Sequence, residues 1–267
     1  MRVRPIRGLY LYWRFISTQI KAILEYQADF WILVVSAVLT QLMGVVFIAA
    51  VFARIPSIDG WGFWEVCFMY AMIYVTEGIG SLFFEGTWRM LRYVNMGELD
   101  RFLLRPVSPV LQMLASAVGM NGLGNITLGC ALIAVSLRHV RIEWTALTVF
   151  WTAVLLLSAV AIRVAINFGS NCSAFWNKSS GNAVPLAVHN VGEFAKFPIT
   201  VFSHGVQLFV SVAVPFAFVS FYPAAYLFGH EDWTRYAYFG PLAAVYAWAV
   251  AYGIYRMGLR RYESTGN

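Results

Sequence analysis

Residues 30–52 read FWILVVSAVLTQLMGVVFIAAVF, 23 residues without one charged side chain. A bilayer core about 30 Å thick needs about 20 apolar residues per helical crossing, and this stretch meets that length with a margin. Runs of the same character occur at 107–137, 144–162, 198–228 and 236–255, all four free of Asp, Glu, Lys and Arg. One more, at 63–84, is as apolar but carries Glu65 near one end and Glu77 in its body. The reading is an all-α polytopic membrane protein with six transmembrane helices, expected at 30–52, 63–86, 107–137, 144–168, 198–220 and 236–257.

Composition leads to the same place. The chain is 60% hydrophobic and 12% charged, with a mean hydropathy of +0.66, outside the range of water-soluble domains. Within residues 1–267 the polar intervals are too short for a second folded domain, so a single transmembrane domain is expected. A cleavable leader is not expected, because the first apolar run begins only at Phe30 and is about twice as long as a secretory h-region. Cys67, Cys130 and Cys172 lie in or beside different spans, without the paired spacing of a zinc or redox motif, and read as small packing residues. The scattered histidines give no metal site, and His230-Glu231-Asp232 reads as a solvated outer loop.

Short loops rich in Lys and Arg stay on the cytoplasmic side. With the N-terminus inside, 15 of the 19 basic residues fall inside and 4 (Arg54, Arg138, Arg141 and Arg235) outside, which puts both termini in the cytoplasm. This distribution beside an anionic leaflet explains the net charge of +6, so nucleic acid is not needed as a partner. Residues 1–29 read as an interfacial helix, since Leu9, Trp13, Ile16, Ile20, Ile23 and Leu24 recur at three- and four-residue steps.

The most informative polar stretch joins spans two and three. Asn95 to Gly97 break the incoming helix, and Pro106 ends the short segment after it. Between them, Glu98 and Asp100 precede Arg101 and Arg105, the order a short helix dipole favours. Two turns of helix would present Leu99, Phe102 and Leu103 on one side, ringed by charge, as a surface for another protein.

Two motifs then carry a resemblance. GELDRFLLRPVSP at 97–109 resembles the G-x-L-D-x-x-L-x-R-P turn of the membrane subunits of ABC-2-type ATP-binding cassette exporters, in a bacterial branch with separately encoded permeases. Phe197-Pro198, followed by VPFAFVSFYPAA at 214–225, is similar to that branch's pattern in span five. The resemblance implies a single permease domain over 1–267, an N-terminal connecting helix and a coupling helix between spans two and three. It also implies a bacterial inner-membrane location, a second permease (identical or a divergent sibling) and two ATPase subunits that bind ATP and Mg. The matching residues Gly97, Leu99, Asp100, Leu103, Arg105 and Pro106 are the candidate coupling residues. Arg101 and Phe102 join them on charge and packing. The resemblance also supplies the direction, export, with a hydrophobic or amphipathic small molecule such as a drug, toxic compound or lipid as the expected cargo.

No cofactor is expected in the chain itself. A P-loop needs glycine directly before lysine, and Lys21, Lys178 and Lys196 come after Ile20, Asn177 and Ala195. No nucleophile with its base and orienting group is recognisable, so the chain does not read as an enzyme by itself.

Along span two, at about 100° per residue, Phe63, Tyr70, Tyr74, Glu77, Ser81 and Glu85 fall on one stripe. An ionisable residue inside a bilayer faces protein or a wet cavity, so this stripe is expected to face inward. Two readings of Glu77 stand. It contacts a cationic or hydrogen-bonding group of a cargo, or it is protonated or bonded to a neighbouring helix and holds the bundle together. In span three, Ala115, Gly119 and Gly122 suit close helix packing, with Asn121 and Asn125 as interhelical hydrogen-bonding groups.

The run 198–228 is too long for one straight crossing and is interrupted by Pro215 and Pro223. Span five is expected to end near Pro215, with 216–229 dipping back as a re-entrant element. Phe209, Phe216 and Phe218 then meet cargo or lipid. Residues 169–197 read as a second cytoplasmic connection, helical from Pro185 and otherwise a solvated loop. The competing function is a gradient-driven carrier or membrane-embedded enzyme using Glu77 and Glu85 as proton sites.

Overall fold

The computed structural model describes residues 5–25, 27–177 and 181–263. Arg2, Arg4 and Lys178, counted among the inside charges, lie outside the described residues. Thirteen α-helices occur among the described residues, with no strand. They are α1 (Pro5–Leu24), α2 (Gln27–Phe52), α3 (Phe63–Phe84), α4 (Met90–Asn95), α5 (Glu98–Leu104), α6 (Pro109–Leu114) and α7 (Asn121–His139). Then come α8 (Ala146–Asn171), α9 (Ala183–Val191), α10 (His204–Leu208), α11 (Phe221–Phe228), α12 (Glu231–Ala237) and α13 (Gly240–Arg261).

Helix α2 is apolar all round and leaves Trp31, Ile32, Leu39, Met43 and Val46 outward, as a lipid-facing helix does. Its polar Gln41 is buried and donates to Asn125 Oδ1 of α7 at 2.8 Å. Helix α3 is the hub, buried along most of its length and packed chiefly on α7. Its start is fixed by Glu65, whose carboxylate accepts the Gly62 N–H at 2.7 Å. Small residues set the α3–α7 spacing: a β-carbon on Gly122 would lie 2.5 Å from the Gly78 carbonyl oxygen and 2.9 Å from Leu82 N. Those neighbours are backbone and have no rotamer to yield. Gly122→Ala is therefore expected to destabilise the chain by about 1–3 kcal/mol, read as a lower midpoint of thermal unfolding in detergent.

The bundle has two ends. At one, Trp64 stacks on His139 and Trp61 on His230, with ring centroids 4.1 and 3.8 Å apart, so the α2–α3, α7–α8 and α11–α12 connections gather there. His230 Nε2 also meets Glu65 Oε1 at 3.2 Å, so His230 is a packed residue rather than a solvated loop residue. At the other end sit α4, α5 and α6, and both described termini reach it. Ile16 of α1 is buried among Leu82, Ala115, Val118 and Met120, while Tyr262 after α13 packs on Phe175.

Three helical stretches are long and apolar enough to cross a membrane: Ala28–Phe52, Phe63–Asn95 and Ala146–Phe175. The number rises to five if two bent pairs, His204–Ala213 with Phe216–Phe228 and Glu231–Ala237 with Gly240–Arg261, each make one span. The expected third span, 107–137, is not one helix. It breaks between Leu114 and Asn121, where Gly119 N donates to Ser81 O at 2.9 Å, so α7 keeps only 19 residues and ends on Arg138 and His139. The expected fourth span, 144–168, runs on to Asn171 and takes Arg163 inside it.

The expected fifth span, 198–220, is a series of short pieces: Ile199–Val201, α10, a widened turn Phe209–Ala213 and Phe216–Phe218. Val214 N donates to Phe209 O at 3.0 Å, the wider loop of a π turn, and at Pro215 the chain bends by 76° into α11. The break at Pro215 falls where the prolines place it. The connection 169–197 is not a plain solvated loop, because α9 packs on α8 and the Gly192–Lys196 turn packs on α3. Cys67 and Cys172 are buried, whereas Cys130 is exposed and is no packing residue.

Candidate functional site

Two constellations stand out, one at each level of the bundle. The first is the turn carrying α5. Gly97 adopts φ 68°, a left-handed conformation open to glycine at little cost, and this reverses the chain between α4 and α5. Arg92 spans the turn, its Nη2 lying 3.1 Å from Glu98 Oε1. Leu99 is fully buried and Phe102 packs edge-on against Tyr93 at 5.1 Å, so both hold α5 to the bundle rather than facing outward. Gln112 Nε2 donates to the carbonyls of Phe102 and Val107, both at 3.0 Å, closing the last turn. Arg105 then takes the extended conformation that a succeeding proline imposes.

The far end of the chain joins this turn. The Tyr262 hydroxyl is pushed up to about 12, by burial first and then by the nearby Asp100 carboxylate. Arg101, Leu103, Leu104, Arg105 and Pro106 are left outward, with Leu104 86% exposed. The surface predicted from Leu99, Phe102 and Leu103 is therefore corrected: Leu103 and Leu104 form it, flanked by two arginines.

The second constellation is a cavity of about 360 Å³ between α2, α3, α7, α8 and the α9 segment. Tyr74 and Glu77 of the span-two stripe line it. Glu77 is ion-paired with Arg163 of α8, and Arg163 Nη2 also lies 3.2 Å from His189 Nδ1. The guanidinium sits over the Phe216 ring, 5.2 Å from its centroid. Lys196 Nζ donates to the Tyr74 hydroxyl at 3.0 Å and to Glu193 Oε2 at 2.6 Å, and lies 4.7 Å from the Tyr74 ring centroid. Asn121 and Asn125 complete the wall, bonded to Ser81 and Gln41.

The stripe is thus only partly brought together. Tyr70 and Ser81 are buried behind the cavity, Tyr70 donating to Gln41 O at 2.9 Å and Ser81 to Glu85 Oε2 at 2.8 Å. Phe216 is buried against Arg163 and does not line the cavity. Phe63 packs on Phe52 near the opposite end of α3, Phe218 on Tyr222, and Phe209 is exposed away from the charges. Arg163, counted with the inside charges, and His189, Glu193 and Lys196, expected in a cytoplasmic connection, come together at the cavity. A signal for Arg163 exists in the sequence: it is the lone charge inside an apolar helix, matching lone Glu77 in the body of another.

A helical bundle with helices apolar and long enough to span a bilayer, and a charged cavity among them, is the architecture of a multi-pass membrane protein. The chain belongs to the ABC-2 family of transporter proteins, whose family model matches residues 38–266. No curated protein and no solved structure matches it. As a member of that family it is a permease component of an ABC transporter.

Proposed function

We propose that the chain is the permease subunit of an ABC exporter in a bacterial inner membrane, paired with a second permease and driven by two separate ATPase subunits. The observation that carries this reading is the outward edge of α5: two leucines between two arginines, on a turn locked at both ends and tied to the residue just past α13. A lever of this kind transmits a push from a docked motor to α3, α6 and α13 together. The excess of inside cations supports a cytoplasmic position for that edge and for both termini. Six crossings result if the two bent pairs, 204–228 and 231–261, each make one span and α7 makes another, with the bend at Pro215 as the floor of a re-entrant element. Cargo is a hydrophobic or amphipathic small molecule, and its path runs past Tyr74 and Glu77.

Of the two proton sites of the carrier reading, Glu77 is engaged by Arg163 and Glu85 accepts a hydrogen bond from Ser81. Reconstitution tests the proposal. Proteoliposomes holding the permease and its cognate ATPase are expected to move an amphipathic dye only with ATP present. ATP-independent movement driven by a proton gradient, in vesicles without the ATPase, would favour the carrier.

A further inference from the structure

The charges of the cavity are unevenly buried. Arg163 and Lys196 have side chains only 3% and 11% exposed, while their partners Glu77 and Glu193 are 18% and 54% exposed. The dry interior is therefore the positive part, and the negative charge of Glu193 sits nearest the mouth. Hydrogen-bond donors are also in excess there. Arg163 Nε and Nη1 have no hydrogen-bond partner among the described residues, but both are fully buried, with Nη1 against Gly192, so the donors that a ligand can reach are those of Lys196 and the two asparagines. Lys196 carries three N–H donors, of which Tyr74 and Glu193 take two. The side-chain oxygens of Asn121 and Asn125 already accept from Ser81 and Gln41, which leaves their N–H groups as donors. Buried donors without acceptors are costly, and a ligand rich in acceptor oxygens satisfies them.

The wall opposite these charges is α2, through Ser36, Ala37 and Thr40, and α2 turns an apolar face outward on either side of them. The volume, about 360 Å³, suits a polar head group, while an alkyl chain would lie against α2. We propose that this cavity binds the anionic, oxygen-rich head group of an amphiphile, with Lys196 facing the anion and Asn121 and Asn125 donating from the side. The head group belongs either to a resident membrane lipid or to the cargo. Only the cargo version rests on the permease reading.

Native mass spectrometry of the full chain in a neutral detergent, titrated with phosphatidylglycerol and with diacylglycerol of the same acyl chains, tests this. Phosphatidylglycerol is expected to bind and diacylglycerol not. Lys196→Gln is expected to weaken phosphatidylglycerol binding about tenfold, the value of one charge-assisted hydrogen bond. Glu193→Gln, which removes the opposing charge, is expected to tighten it about threefold. Equal binding of the two lipids, or a Lys196→Gln affinity equal to that of the unaltered chain, overturns the proposal. If Lys196→Gln does not fold, Glu193→Gln decides alone, because Glu193 is mostly solvated; unchanged or weaker binding then overturns it. Reconstitution with the ATPase separates the two sources. ATP-driven movement of labelled phosphatidylglycerol marks cargo, and binding without its movement, while the amphipathic dye still moves with ATP, marks a resident lipid. Loss of all ATP-driven movement, dye included, with selective binding intact counts against the permease reading alone.

Discussion

Arg163→Ala is expected to lower the unfolding free energy by about 3–5 kcal/mol, a large part of the stability of a chain this size. The substitution leaves Glu77 inside the bundle without its cation, and removes the group that His189 and Phe216 pack on. The loss is therefore more than one ion pair: it frees α9 and the Pro215 turn from α3 and α8. The double change Glu77→Gln with Arg163→Gln is expected to recover most of it, since two neutral groups carry far smaller desolvation costs. Thermal unfolding of the double variant, of Glu77→Gln and of Arg163→Gln beside the unaltered chain forms a double-mutant cycle with a coupling energy above about 1 kcal/mol. Additive losses would mean that the pair contributes nothing as a pair.

Leu104→Asp is expected to abolish ATP-driven transport while leaving the permease folded. Leu104 is 86% exposed, so the bundle has no use for its side chain, and a carboxylate there costs the isolated chain little. In a docked complex the same carboxylate would be buried in an apolar contact between Arg101 and Arg105, where desolvation works against association. Affinity for the ATPase is expected to fall by about tenfold or more in pull-down, with the unfolding midpoint unchanged. By contrast Leu99→Asp is expected to fail earlier, by unfolding, because Leu99 is fully buried. The contrast between the two leucines separates a docking residue from a packing residue on one seven-residue helix.

Much of this is legible in the residues. Apolar runs mark α2 and α3 nearly to their ends and α8 as far as Ile162, and the Gly97 and Pro106 punctuation marks α5. The polar stripe of span two singles out Glu77 because an ionisable group in lipid needs a partner. The partner stays hidden for two reasons. Arg163 comes directly after Ile162, where the apolar run stops, so it is counted with the inside charges although it falls within the expected span 144–168. Its pairing with Glu77 also joins helices far apart in sequence, which periodicity within one helix does not report. The break before α7 has no proline to mark it; there the Gly119 N–H donates to Ser81 O of α3 instead of to its own helix, and Gly86 lies close against the Met113 backbone. The inward turn of Leu99 and Phe102 is equally hidden, because two turns are too short for a hydrophobic pattern to say which side faces home.

The central claim is that α5 is a handle on the cytoplasmic side for a separate motor. A photo-crosslinking residue placed at position 104, with the cognate ATPase coexpressed and the cells irradiated intact, tests it most directly. The account predicts a single crosslinked product of permease and ATPase, lost when Arg101 and Arg105 are replaced by glutamate. Absence of that product, with position 104 labelled instead by a membrane-impermeant reagent added outside the cells, would contradict it.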